Sequence, residues 1–107
     1  MNAYTQIAIK TKTTQATTHR GNARLWLQNA PEMLQAGFVP NATYSTEYLP
    51  SGIVLRLASE GKLRKVSATA RGATLDINNS KLRAYDFTHG IRWHFLDGQI
   101  TIEPITQ

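Results

Sequence analysis

Two stretches of this chain, about fifty residues apart, run through the same succession of polar strand, turn, alternating strand, short helix and hairpin. In the first, Ile7-Ala8-Ile9-Lys10-Thr11-Lys12-Thr13 leads to an Arg-Gly turn and then to Asn22-Ala23-Arg24-Leu25-Trp26-Leu27-Gln28. In the second, Lys65-Val66-Ser67-Ala68-Thr69 leads to Arg71-Gly72-Ala73-Thr74-Leu75-Asp76-Ile77. Leu25 and Leu27, like Leu75 and Ile77, alternate with polar neighbours, the pattern of a half-buried strand. Short segments of helical spacing follow. Pro31 suits the first turn of one and Gly37 its end, while Asn79 and Ser80 are cap formers for the other. Each stretch closes in a hairpin. Residues 43–48 meet 53–57 across Leu49-Pro50-Ser51-Gly52, and residues 91–96 meet 99–102 across Asp97-Gly98, a dipeptide that favours a type I′ turn. The offset is 51 at Arg20/Arg71, 49 at Phe38/Phe87 and 46 at Gly52/Gly98.

A unit of this size cannot bury its apolar faces alone, whereas two copies can bury them against each other. The expectation is a single domain over residues 1–107, mostly β with two short helices. It comprises two ββαββ repeats, about 5–58 and 62–104, forming an intramolecular pseudo-dimeric β-barrel or sandwich. Such an axis would bring the first strands of the two halves together on one face.

Charge follows the same division. The chain of 107 residues carries a formal net charge of +5. Residues 10–24 hold Lys10, Lys12, Arg20 and Arg24, and residues 62–71 hold Lys62, Arg64, Lys65 and Arg71, with no acid in either block. All seven acids lie elsewhere. Such a balance suits nucleic acid, an anionic surface or an acidic protein. The chain has no cysteine, which removes disulfides, zinc–thiolate sites and cysteine nucleophiles together. No apolar run approaches the roughly 20 residues that cross a bilayer. Met1-Asn2-Ala3-Tyr4-Thr5 lacks the form of a secretory signal, so a soluble, cytoplasmic protein with no membrane partner is expected.

Gln15-Ala16-Thr17-Thr18-His19-Arg20-Gly21 and Val66-Ser67-Ala68-Thr69-Ala70-Arg71-Gly72 stand where the AbrB-like (SpoVT/AbrB and MazE) swapped-hairpin domains carry their V-T-S-K-G segment. The chain resembles that superfamily over most of its length. Trp26-Leu27-Gln28-Asn29-Ala30 through Ala36-Gly37-Phe38, with Ser51-Gly52-Ile53-Val54-Leu55, looks most like its SymE-type toxin proteins. The proline that closes the second strand in that family is absent from both stretches. Two copies stand in one chain where the family uses a homodimer. The resemblance implies nucleic-acid contact through Lys10, Lys12, Arg20 and Arg24 in one half and Arg64, Lys65 and Arg71 in the other.

Each feature has a plainer reading beside it. The basic blocks also suit a solvated sheet face. Trp26 and Trp93 fall on the opposite parity to the core leucines, which leaves open an exposed stacking platform for single strands or a packing role. Phe38 and Phe87 are core. His19, His89 and His94 lack metal-ligand spacing, and Asp76 and Asp86 read as surface positions. No nucleophile elbow or phosphate loop appears, and His19 beside Arg20 is the one constellation a ribonuclease could use. The expectation is a non-enzymatic module without cofactors that binds DNA or RNA, as a transcriptional regulator or toxin–antitoxin component, acting as a monomer or homodimer. The alternative is a protein-binding inhibitor whose basic face, or Trp93 and Tyr48, docks a toxin, an antitoxin or a defence nuclease.

Overall fold

The computed structural model describes residues 10–19 and 22–106. Its elements are, in order, β1 (Lys10–Thr14), β2 (Thr17–His19), β3 (Asn22–Gln28), α1 (Pro31–Gln35), β4 (Thr43–Leu49), β5 (Gly52–Leu57), β6 (Arg64–Lys65), β7 (Ser67–Thr69), β8 (Gly72–Ile77), a 3-10 helix (Ser80–Ala84), β9 (Ile91–Leu96) and β10 (Gln99–Pro104). The part of the first polar strand expected before Lys10 lies outside the described residues, as do Arg20 and Gly21.

The strands form two antiparallel sheets, one ordered β1-β9-β10-β5-β4-β6 and the other β2-β3-β8-β7. Neither closes on itself, so the barrel form of the expectation is corrected to two open sheets. Each order maps onto its own reverse when β1–β5 are exchanged for β6–β10. The registers refine the sequence alignment. Thr17 faces Arg24 and Ser67 faces Thr74, a shift of 50. Tyr44 faces Leu57 and Ile91 faces Pro104, a shift of 47. These shifts of 50 and 47 differ by one from the offsets of 51 at Arg20/Arg71 and 46 at Gly52/Gly98 read along the sequence.

The second polar strand breaks in two. Arg64–Lys65 pairs in the large sheet and Ser67–Thr69 in the small one, with Val66 between them. Val66 is fully buried; its N–H donates to the Ala42 carbonyl at 2.8 Å and its carbonyl accepts from the Asn41 N–H at 2.9 Å. Burying this one apolar side chain turns the chain from one sheet into the other.

The core lies between the sheets. Leu25, Leu27, Leu75 and Ile77 face Ile53, Leu55, Ile91, Trp93, Phe95, Ile100 and Ile102, and Phe38 and Phe87 are buried with them. Each fully buried large side chain stabilises the fold by about 1.5–3 kcal/mol. Met33 from α1 and Leu82 from the 3-10 helix seal the remaining openings. Asn79 caps the 3-10 helix as expected, its side chain accepting from the Lys81 N–H at 3.0 Å.

The Asp97-Gly98 turn is not type I′. Gly98 has φ of +75°, but Asp97 is absent from the left-handed region, which among non-glycine described residues holds Asn29 and Asn41. The reason is tertiary: the Gly98 N–H donates to the Ala36 carbonyl at 2.9 Å and the Gly98 carbonyl accepts from Leu57 at 3.0 Å. Docking the hairpin tip on the end of α1 overrides the local turn preference. No helix among the described residues is long and apolar enough to cross a membrane.

Candidate nucleic-acid interface

The two basic blocks do not share one face. β1 carries Lys10 and Lys12 along one edge of the large sheet, and β6 carries Arg64 and Lys65 along the other. Four strands separate them, because the hairpins β4–β5 and β9–β10 meet in the middle of the sheet. Lys10 pairs with Phe95 and Lys12 with Trp93, so both lysines lie on the core-facing side of their edge strand. Lys10 is exposed and Lys12 half-buried. Arg71 is exposed in the turn after β7, where its N–H donates to the Thr69 hydroxyl at 3.1 Å. Arg20 lies outside the described residues, and with it the His19–Arg20 constellation.

Arg24 is not an unopposed cation. Its Nε and Nη2 donate to the two carboxylate oxygens of Asp76 at 3.0 and 2.8 Å. The hydrogen bond to Asp76 raises the guanidinium pKa above its ordinary value, with partial burial opposing and the nearby charge assisting. Asp76 is 52 residues away in the chain, and only the pairing of β3 with β8 brings it alongside. A forked pair fixes the guanidinium plane, and holds much of its donor capacity.

The fold assembles a different cationic cluster. Lys62, Arg64 and Lys81 converge on a groove of about 390 Å³ beside β4, whose wall includes Tyr48, Thr46, Asn79 and Ser80. No described carboxylate lines it. The Asn79 amide donates to the Tyr48 hydroxyl at 3.0 Å, which joins the helix cap to the sheet. Lys81 Nζ stands 4.9 Å from the centre of the Tyr48 ring, a contact worth about 0.5–1 kcal/mol at an exposed site. Thr46 Oγ1 is buried and finds no partner among the described residues, so a hydroxyl at the groove keeps unused hydrogen-bonding capacity. Lys62 belongs to the second basic block, whereas Lys81 lies in the helix that Asn79 caps. The cap signal at Asn79 and Ser80 was the clue to its placement.

The remaining expected features are divided by burial. Trp26 projects outward from β3 and is 42% exposed, whereas Trp93 is 0% exposed with its indole N–H donating to Thr14 Oγ1 at 2.8 Å. Trp93 shares parity with Ile91 and Phe95, so the opposite-parity assignment is corrected for it. Trp26 instead walls a second groove of about 750 Å³ that also receives Lys12 and Arg24. His94 sits on the outer face of β9, with Nε2 3.0 Å from Glu103 Oε1 and Nδ1 3.5 Å from the Thr11 hydroxyl. Arg92 lies 3.6 Å from the same carboxylate oxygen. Asp86 accepts from the Thr88 hydroxyl and N–H, which holds its carboxyl below the usual range. Among the described residues no three histidines or carboxylates gather as a metal site would require. In comparisons with protein-family models, curated proteins and solved structures, nothing matches this chain.

Proposed function

We propose that this chain is a non-enzymatic nucleic-acid-binding module that holds phosphates in the Lys62–Arg64–Lys81 groove. The carrying observation is the convergence of three cations, from the β5–β6 loop, β6 and the 3-10 helix, on one concave surface with no carboxylate among its lining residues. A solvated sheet face scatters its charges or pairs them, as Arg56 pairs with Glu47 at 2.8 Å on the outer face of the large sheet. Phosphate neutralisation releases condensed counterions, so such a groove contributes affinity without reading sequence. Lys65 follows Arg64 on the same edge strand, whereas Lys10 and Lys12 lie on the opposite edge of that sheet.

The self-reversing strand orders support a chain of two related halves arranged about a pseudo-twofold axis. That arrangement favours an AbrB-like, SymE-like regulator or toxin–antitoxin component acting as a monomer. The protein-inhibitor reading loses Trp93, which is buried. Fluorescence anisotropy with labelled duplex DNA, single-stranded DNA and RNA at several salt concentrations tests the proposal. Binding tighter than that of an unrelated protein of equal charge, with a steep salt slope, is expected. Affinity no better than that control at every salt concentration would refute it, and a pull-down would then look for an acidic protein partner.

A further inference from the structure

We infer that the groove walled by Trp26 takes an unpaired nucleobase, so that the nucleic acid this chain prefers is single-stranded. The inference deepens the nucleic-acid reading and rests on it. β3 alternates Leu25 and Leu27 into the core and Trp26 out of it, and the pairing of Trp26 with Asp76 keeps that register. A large flat apolar ring is thereby held in water on a sheet, where no rotation of the backbone can hide it. It is the largest of the exposed hydrophobic side chains among the described residues.

What surrounds the ring suits a nucleotide better than an apolar partner. The groove, at about 750 Å³, falls within the roughly 300–1,000 Å³ of small-ligand sites. Gln28 and Asn29 are among its lining residues, and Gln28, on the same face of β3 as Trp26, carries an amide able to meet a base edge. Lys12 supplies positive charge, while the charge of Arg24 is opposed by Asp76, the cross-strand partner of Trp26. The forked contact with Asp76 fixes the Arg24 guanidinium, so this part of the wall is ordered before any ligand arrives. In a duplex both faces of each internal base are already stacked, and an indole has nothing to stack on. An unpaired base offers a free face, and stacking of this kind tolerates any base.

The chain has two tryptophans, of which one is exposed and one buried, so quenching of intrinsic fluorescence by an oligonucleotide reports on Trp26. The probes are a twelve-residue oligothymidylate, an oligouridylate of equal length, and an abasic oligomer of equal length that keeps the phosphates alone. Oligothymidylate should quench the fluorescence and bind about tenfold or more tightly than the abasic strand. Trp26→Ala should lower its affinity by about the same factor and leave abasic binding unchanged, and Trp26→Phe should restore part of the loss. The uridylate arm distinguishes RNA from DNA. Equal binding of base-bearing and abasic strands, indifferent to Trp26, would overturn the inference while a dependence on Lys62, Arg64 and Lys81 left the broader reading standing. No binding of any strand would end both.

Discussion

Removing the three cations of the Lys62–Arg64–Lys81 groove should flatten the salt dependence of nucleic-acid binding by an amount that the structure sets. Each phosphate neutralised contributes a slope in log K against log salt of about −0.7 for a single strand and −0.9 for a duplex. Three cations on one groove therefore account for roughly −2 to −3 of the total. Between 50 and 200 mM salt, that share alone amounts to a roughly 20- to 40-fold change in affinity. The variant Lys62→Gln, Arg64→Gln, Lys81→Gln removes the three charges and keeps a polar side chain at each position. All three positions are exposed, so its stability should fall by no more than the cation–π contact of Lys81, about 0.5–1 kcal/mol. Anisotropy titrations at four salt concentrations measure the slope. Arg56→Gln is the control, because Arg56 is exposed on the outer face of the large sheet and already paired with Glu47. It removes one charge and should leave the slope nearly unchanged. If the triple variant keeps the parent slope, or Arg56→Gln lowers it as much per charge, the phosphates are not held in this groove.

Stability offers three independent checks. Gly52→Ala should destabilise the fold by about 1–3 kcal/mol in urea unfolding, because a Cβ there would sit 2.3 Å from the Ile102 carbonyl oxygen on the paired strand. Full stability in that variant would mean β5 and β10 do not approach as described. Leu27→Asp should abolish cooperative unfolding by placing an unpaired charge in the core, where Leu27 is 4% exposed; a folded variant would refute the β3 register. Tyr44 carries the third. Burial pushes its phenol from the ordinary 10.0 up to about 12, with Arg64 opposing that rise. The folded state therefore prefers the neutral phenol, and its contribution is complete below pH 10 and lost as pH rises towards 12. The loss is on the order of 2–3 kcal/mol. Unfolding measured from pH 9 to 12 should show it, and Tyr44→Phe should remove it. Identical pH profiles for the two proteins would sink the assignment.

Alternation was the most legible signal. Leu25 and Leu27, Leu75 and Ile77 and both hairpins stood out because a strand's two faces depend on residues two apart, which a sequence displays directly. The Asn79 cap and the burial of Phe38 and Phe87 were equally local. Trp93 obeys the same rule, since Ile91, Trp93 and Phe95 alternate with Arg92 and His94, and counting its parity from the leucines of another strand put it on the wrong face. The opposition of Arg24 by Asp76 was invisible for a different reason: the two meet only after β3 and β8 pair across 52 positions.

By itself, then, the sequence determined the alternating strands, the position of the hairpins, the recurrence of one pattern and the grouping of cations into two blocks, all properties of neighbours along the chain. Tertiary structure decided where those blocks went. By joining β5 to β10 it drove β1 and β6 to opposite edges, so the blocks that looked like one surface became two. It then brought Lys81, from the first turn of the 3-10 helix, to the groove that Lys62 and Arg64 line. A local pattern constrains which face a side chain takes; the order in which strands pair is chosen by how the whole set of apolar faces leaves water, and charge is carried along with it.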